Sequence, residues 1–269
     1  MRNISLVILI SFFLSACLEK SKTGSLKNNT LNEIKVEVNK NTSGNPISPP
    51  IPPLIAELLD GRNETSDAAI ARFDFKNFTY PLPRGWQDTD SKEAEIRDGK
   101  RPILMPEENN GKEKRVGLSY LTTKFLDIDS DGKDEAVVIL QIETGGSAMP
   151  HLVYIFKDNN GDKPQLLWYF RTGDRADGGL KNIYLENGLL AIELYGQDRY
   201  IIGEVETAKI TGDEEPICCP THYTKSLYKW DGKTFRLHGK RLTYSMNNKD
   251  LQAVENMIEV IEKQNRGRK

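Results

Sequence analysis

The sequence has only three cysteines in 269 residues, which excludes a fold held together by several disulfide bonds. Lysine and arginine (37) are balanced by aspartate and glutamate (39), so a net charge of −2 gives no basic excess for a nucleic-acid partner. After residue 14, no apolar run approaches the roughly 20 residues of a membrane-spanning helix. The motifs of serine hydrolases, phosphate-binding loops and zinc proteases are missing as well.

The N-terminus has the pattern of a secretory signal peptide. A short basic start is followed by an apolar stretch over residues 4–14 and by the small residues Ser15 and Ala16. The sequence Leu14-Ser15-Ala16-Cys17 resembles the lipobox of bacterial lipoproteins. This resemblance implies removal of residues 1–16, lipidation of Cys17 and attachment to a membrane of the cell envelope. By the same resemblance, Leu18 after the cysteine favours the outer membrane over the inner one.

Composition divides the rest of the chain into a tether and one domain. Residues 17–65 are rich in Lys, Asn, Ser, Thr and Pro, with a proline cluster at 49–53, so we expect a disordered to semi-rigid spacer. Residues 66–265 are expected to form a single globular domain, and residues 266–269 a basic tail.

The domain is predicted to be mainly β. Period-2 alternation over residues 73–80 and apolar runs at 116–126, 135–142, 152–156, 166–170, 181–185, 189–195 and 224–230 predict strands. The run from Ala136 to Leu140 predicts a central strand covered on both faces. Turn residues such as Asn187-Gly188 predict hairpins, and hence an antiparallel meander or twisted sheet, as a β-sandwich or partial barrel. Helical spacing of apolar residues over 249–263 predicts a C-terminal α-helix.

The acidic loop at 127–135 predicts a site for a hard cation. Oxygens at positions one, three and five of a tight loop converge, a glycine at six permits the turn, and positions seven and nine complete a shell of oxygens suited to Ca²⁺. The predicted ligands are Asp127, Asp129, Asp131, the carbonyl of Lys133 and Glu135. The alternative is an acidic turn without metal.

This loop resembles the calcium loop of FG-GAP or VCBS-type repeats, in which the same spacing joins two β-strands. The resemblance covers about twenty residues and implies a structural calcium ion. One copy does not build the propeller of such repeats, and Glu135 replaces the more usual Asp. Roughly residues 73–237 also resemble a set of uncharacterised bacterial lipoproteins, for which no activity is established. The pieces that carry that wider resemblance are residues 77–81, 127–138, 144–147, 172–179, 218–220 and 228–232.

Two further features are candidates for function. Cys218-Cys219 predicts a vicinal disulfide, buried thiols or an intermolecular bond. The glycine-rich loop 171–179 holds Asp174, Arg175 and Asp177, which can pair with one another or with a ligand, and the loop 143–147 lies at another strand end. The first hypothesis is therefore a non-enzymatic envelope lipoprotein with a calcium-stabilised β domain that binds a ligand or an envelope protein. The rivals are an envelope hydrolase with a site in these two loops and a purely structural surface protein.

Overall fold

The computed structural model describes residues 53–83, 92–111, 114–207 and 218–256, all of which belong to one compact unit, Pro49–Lys269. The predicted signal peptide 1–16, Cys17, the tether up to residue 52 and the basic tail 266–269 lie outside these residues. No helix in the described segments has the length and hydrophobicity needed to cross a bilayer.

The regular elements of the described residues are strands, apart from two short 3₁₀ helices before the first strand, Pro53–Ile55 and Ala69–Arg72. The strands are β1 (Phe78–Pro81), β2 (Glu93–Ile96), β3 (Lys100–Arg101), β4 (Gly117–Leu126), β5 (Glu135–Glu143), β6 (His151–Lys157), β7 (Gln165–Arg171), β8 (Leu180–Glu186), β9 (Leu189–Tyr195), β10 (Ile201–Ile202), β11 (Val205–Glu206), β12 (His222–Trp230), β13 (Phe235–Ser245) and β14 (Val254–Glu255).

The strands are arranged in three sheets. The large sheet has the order β10-β11-β7-β6-β5-β4-β3, and the small sheet has the order β14-β13-β12-β9-β8. Strands β1 and β2 form a separate two-stranded sheet. All pairs are antiparallel except β11 with β7. The prediction of a mainly β, antiparallel fold is confirmed, and the strands β4 to β7 form the expected meander.

Strand β5 shows why its sequence is an unbroken apolar run. Val137 and Ile139 belong to the core cluster that also contains residues of the small sheet, such as Ile192. Val138 and Leu140 belong to a second cluster, which includes residues of β1 and β2. Successive side chains of a strand point to opposite faces, so both faces of β5 are buried from Ala136 to Leu140, and this stretch is apolar on both.

The large and small sheets pack against each other through the first core cluster and form a sandwich. Residues before the first strand cover one end of this sandwich. Ile55 and Leu58 are 6% and 0% exposed and belong to this cluster. The hydroxyl of Tyr195 donates to the carbonyl of Leu54 at 2.9 Å. The packed part of the chain therefore starts before residue 66, because Leu54 to Leu58 cover apolar surface that would otherwise face water.

The second core cluster forms a third layer on the outer face of the large sheet. Tyr80 packs against Tyr154 with 4.7 Å between ring centroids. The hydroxyl of Tyr154 donates to the carbonyl of Pro81 at 2.8 Å. The predicted strand over residues 73–80 begins only at Phe78.

The predicted C-terminal helix is not formed where the structure describes it. Residues 249–256 form a turn followed by β14, which pairs with β13. Leu251 and Val254 are 59% and 62% exposed. The start of the apolar stripe that predicted a helix is therefore not packed against the described core. Val254 and Glu255 pair with the edge of β13 instead. Residues 257–263 of the predicted helix lie outside the described part.

Candidate metal site and ligand cavity

The acidic loop connects β4 to β5 in a sharp turn, which is the strand–loop–strand context expected from the sequence. Ser130 and Gly132 have positive φ angles of 61° and 84°. The amide of Gly132 donates to Oδ2 of Asp127 at 3.1 Å. Across the turn, the amides of Ile128 and Asp129 donate to Oε2 of Glu135 at 2.9 and 3.3 Å. These bonds hold the carboxylates of Asp127 and Glu135 on the inside of the turn.

Asp127, Asp129 and Glu135 each direct one carboxylate oxygen to a common region, and these oxygens lie within 4.8 Å of one another. One buried oxygen of each group, Oδ1, Oδ1 and Oε1 respectively, has no hydrogen-bond partner among the described residues. An unsatisfied buried acceptor costs about 1–3 kcal/mol. Carboxylate oxygens without donors are the ligands that a hard cation requires, so the residues present fit Ca²⁺.

Lys157 contributes a positive charge to this cluster. Its Nζ forms an ion pair with Asp129, lies 2.7 Å from Oδ2 of Asp131 and lies 3.8 Å from Oε1 of Glu135. The hydrogen bond from Lys157 lowers the pKa of Asp131, whereas burial raises the pKa of Glu135 to about 7. The ammonium and a metal ion would therefore compete for the negative charge of Asp129 and Glu135.

The two remaining predicted ligands, Asp131 and Lys133, and the neighbouring Asp134 are placed as follows. Asp131 faces Lys157 and is not one of the three converging carboxylates. The amide of Lys133 donates to Oδ1 of Asp131 at 2.9 Å, and the role of its carbonyl stays a prediction. Asp134 points elsewhere and accepts a 2.6 Å hydrogen bond from the hydroxyl of Ser66.

Part of the candidate ligand loop 171–179 is used by the protein itself. Asp177 forms an ion pair with Arg199, whose Nη1 also lies 2.8 Å from Glu206. Asp174 accepts a 2.6 Å hydrogen bond from the amide of Met149. Arg175 contacts Asp174 through Nε and Nη2, both at 3.4 Å, and its Nε is buried without a hydrogen bond to the described residues.

The loops at 143–150 and 171–179 do meet, and cavities lie beside them. A smaller cavity of about 270 Å³ is lined by Thr144 and Asp174. A larger one, of about 440 Å³, lies at the start of β6 and β8. The larger cavity is lined by Leu54, Ile55, Met149, His151, Arg175, Gly179, Leu180, Tyr195, Cys218, Pro220 and Met246.

His151 is the residue of this cavity that sequence reasoning missed. It is 3% exposed, and neither Nδ1 nor Nε2 has a hydrogen-bond partner among the described residues. Burial lowers its pKa to about 4, so the imidazole is neutral at pH 7. The only signal in the sequence is a histidine placed directly before the apolar run that forms β6, and such a position does not distinguish a site from ordinary packing.

The two thiols of Cys218 and Cys219 are free and exposed, with 2.9 Å between their sulfur atoms. The vicinal disulfide is not formed in this structure, and the expectation of buried thiols is wrong because this turn lies at the surface. Cys218 nevertheless lines the larger cavity.

No protein family model, curated protein or solved structure matches this chain.

The two sites lie at opposite ends of the large sheet. Glu135 begins β5, whereas His151 lies opposite Gln141 of the same strand. At about 3.3 Å per residue, six residues separate the sites by roughly 20 Å. One site can collect a cation with carboxylates, and the other can enclose an apolar molecule, so the two can be tested independently.

Proposed function

We propose that this chain is a lipid-anchored protein of the bacterial cell envelope whose β sandwich is stabilised by Ca²⁺ in the 127–135 loop and acts as a binding module. The observation that carries the calcium part is the convergence of Asp127, Asp129 and Glu135, each with one buried oxygen that lacks a donor. The anchor and the envelope location rest on the Leu14 to Cys17 sequence.

Calcium is the metal that suits this loop. Ca²⁺ takes six to eight oxygen ligands in flexible geometry, including carboxylates and backbone carbonyls. Asp127, Asp129 and Glu135 would supply the carboxylates, and the carbonyl of Lys133 the backbone ligand. The role is structural, because the loop is a turn between two paired strands and holds β4 against β5. An affinity of roughly 10⁻⁴–10⁻³ M is typical of extracellular modules.

Thermal unfolding of the full chain tests the calcium proposal. A ligand present at about 100 times its Kd adds about 2.7 kcal/mol, which corresponds to roughly 5–10 °C in Tm for a domain of this size. We expect Tm to rise by this amount between chelator and saturating calcium.

Asp129→Asn should lose this response, since it removes one of the converging charges. The matched control is Asp162→Asn, at an exposed turn outside the cluster, which should respond as the unsubstituted chain does. Equal midpoints with calcium and with chelator in the unsubstituted chain would overturn the proposal.

Mass spectrometry of the mature N-terminus tests the anchor. Two or more acyl chains are needed for stable membrane residence, because each buried CH₂ contributes about 0.8 kcal/mol. We expect a peptide that begins at Cys17 and carries both a diacylglycerol thioether and an acylated amine. A mature chain with an unmodified cysteine would remove the anchor from the account. Fractionation of envelope membranes is expected to place the lipidated chain in the outer membrane.

A binding role is supported better than the hydrolase alternative. In the loop 171–179, the carboxylates are engaged by the amide of Met149 and by Arg199, so neither is poised as a general base. The purely structural alternative leaves the cavity beside His151 without a role.

A further inference from the structure

The larger cavity has apolar walls and one positive charge. Met149, Leu180, Pro220 and Met246 supply apolar surface. Arg175 is the one charged side chain among the described residues that line the cavity, and no carboxylate lines it. Its volume of about 440 Å³ falls in the range of small-molecule sites, which are usually apolar with a few placed polar groups.

Unsatisfied donors collect at this cavity. Both ring nitrogens of His151 and Nε of Arg175 are buried and form no hydrogen bond with the described residues. Most buried polar groups in native proteins have a partner, and each exception calls for a physical reason. A neutral imidazole offers one N–H, and a guanidinium offers several. An unpartnered imidazole, beside a guanidinium whose contacts with Asp174 are 3.4 Å long, points to an acceptor supplied by a ligand.

The backbone of the loop that carries Arg175 is held by hydrogen bonds and by close packing at Gly179. The amide of Thr172 donates to the carbonyl of His151 at 2.9 Å, and the amide of His151 donates to the hydroxyl of Thr172 at the same distance. The amide of Gly179 donates to the carbonyl of Arg175 at 3.0 Å. A Cβ at Gly179 would collide with that carbonyl oxygen. Little ordering is therefore needed when a ligand binds.

We propose that this cavity binds an organic monocarboxylate with an apolar body, its carboxylate held by Arg175 and His151 and its body packed on Met149, Leu180 and Met246. Arg175 can take part because its contacts with Asp174 are both 3.4 Å long. A carboxylate between two such donors forms charge-assisted hydrogen bonds, which are stronger than those of a neutral group.

This inference names a ligand class for the binding role proposed above and rests on it. The cavity lies at the opposite end of β5 from the acidic loop, so the two can fail separately. If the chain binds no carboxylate ligand but its Tm still rises with calcium, only the assignment of the cavity is overturned.

The test is NMR of the full chain with ¹³C-methyl methionine, titrated with 3-phenylpropionate and, separately, with the matched alcohol 3-phenylpropan-1-ol. Met149 and Met246 line the cavity, whereas Met105 is 45% exposed and does not. We expect saturable shifts of the first two resonances with the acid, about tenfold weaker binding of the alcohol, and no shift of Met105. No shift with the acid, or equal affinity for acid and alcohol, overturns the proposal.

A variant pair isolates the charge. Arg175→Met should weaken binding of 3-phenylpropionate about tenfold and leave the alcohol unchanged. Lys229→Met, at an exposed position on β12, should change neither. Unaltered affinity for the acid in Arg175→Met contradicts the proposal. The comparison of acid with alcohol needs no variant, so the test stands even where Arg175→Met fails to fold.

Discussion

Lys157→Met separates the internal cation from the proposed metal. The lysine is 28% exposed and touches Asp129 and Asp131. Opposite charges at about 4 Å interact by about 4 kcal/mol at an effective dielectric of 20, and partial exposure reduces this to about 1–2 kcal/mol. Without calcium, the variant should therefore be less stable by that amount, or roughly 2–8 °C in Tm.

The same quantity sets the change in calcium affinity. If calcium displaces the ammonium from the carboxylates, the bound state does not depend on Lys157, and the variant should bind calcium about tenfold more tightly. At saturating calcium, the two proteins should unfold at the same temperature. Titration calorimetry gives the affinity, and scanning calorimetry with chelator and with calcium gives the midpoints.

The control is Lys229→Met, because Lys229 is exposed on β12, outside the acidic loop. It should change calcium affinity little. The reasoning is refuted by a Lys157→Met protein that loses no stability in chelator, or that binds calcium no better than the unsubstituted chain.

Three further predictions concern the other end of the sandwich. Arg199→Met should destabilise the protein by about 3–5 kcal/mol in urea unfolding, because it leaves Glu206, whose side chain is 10% exposed, without its partner; a loss below about 1 kcal/mol would contradict this. Gly179→Ala should lower Tm strongly, because the added Cβ would collide with backbone atoms. Gly146→Ala should not, because the nearest neighbour of its Cβ would be 3.7 Å away. Equal midpoints for the two variants would show that the loop backbone moves to accept the Cβ at position 179. His151 takes up its proton near pH 6.5 in the unfolded chain but only near pH 4 in the folded one. The free energy of unfolding should therefore fall by roughly 2–3 kcal/mol as the pH drops through that window. In His151→Leu, urea titrations at pH 7 and pH 4 should show a smaller fall.

Local patterns predicted the centre of the fold well. The apolar run of β5 is buried on both faces, because each face meets a different core cluster. The Asn187-Gly188 turn also has the expected positive φ angles of 52° and 74°. These features depend on residues within a few positions of one another, and period and turn chemistry report on them directly.

Features that depend on tertiary packing were missed. Strand β2 has the sequence Glu93-Ala94-Glu95-Ile96, whose charges hide a buried face formed by Ala94 and Ile96. Over residues 249–256 the expected helix is not formed, because Leu251 and Val254 are exposed and do not pack against the described core.

The register between β5 and β6 places Lys157 beside the acidic cluster. Ala136 lies opposite Phe156, so the next pair outward brings Lys157 to Glu135. The cavity depends on contacts between residues still farther apart in sequence, since its walls come from six separate parts of the chain. Spacing within one segment carries no information about such contacts.

The central claim is that calcium binds among the carboxylates of the acidic loop. The most direct measurement is an anomalous difference map from crystals grown with Ca²⁺. We predict a peak about 2.3–2.6 Å from carboxylate oxygens of Asp127, Asp129 and Glu135, with Nζ of Lys157 moved away. A map without a peak there, in which the ammonium still contacts Asp129, would contradict the claim.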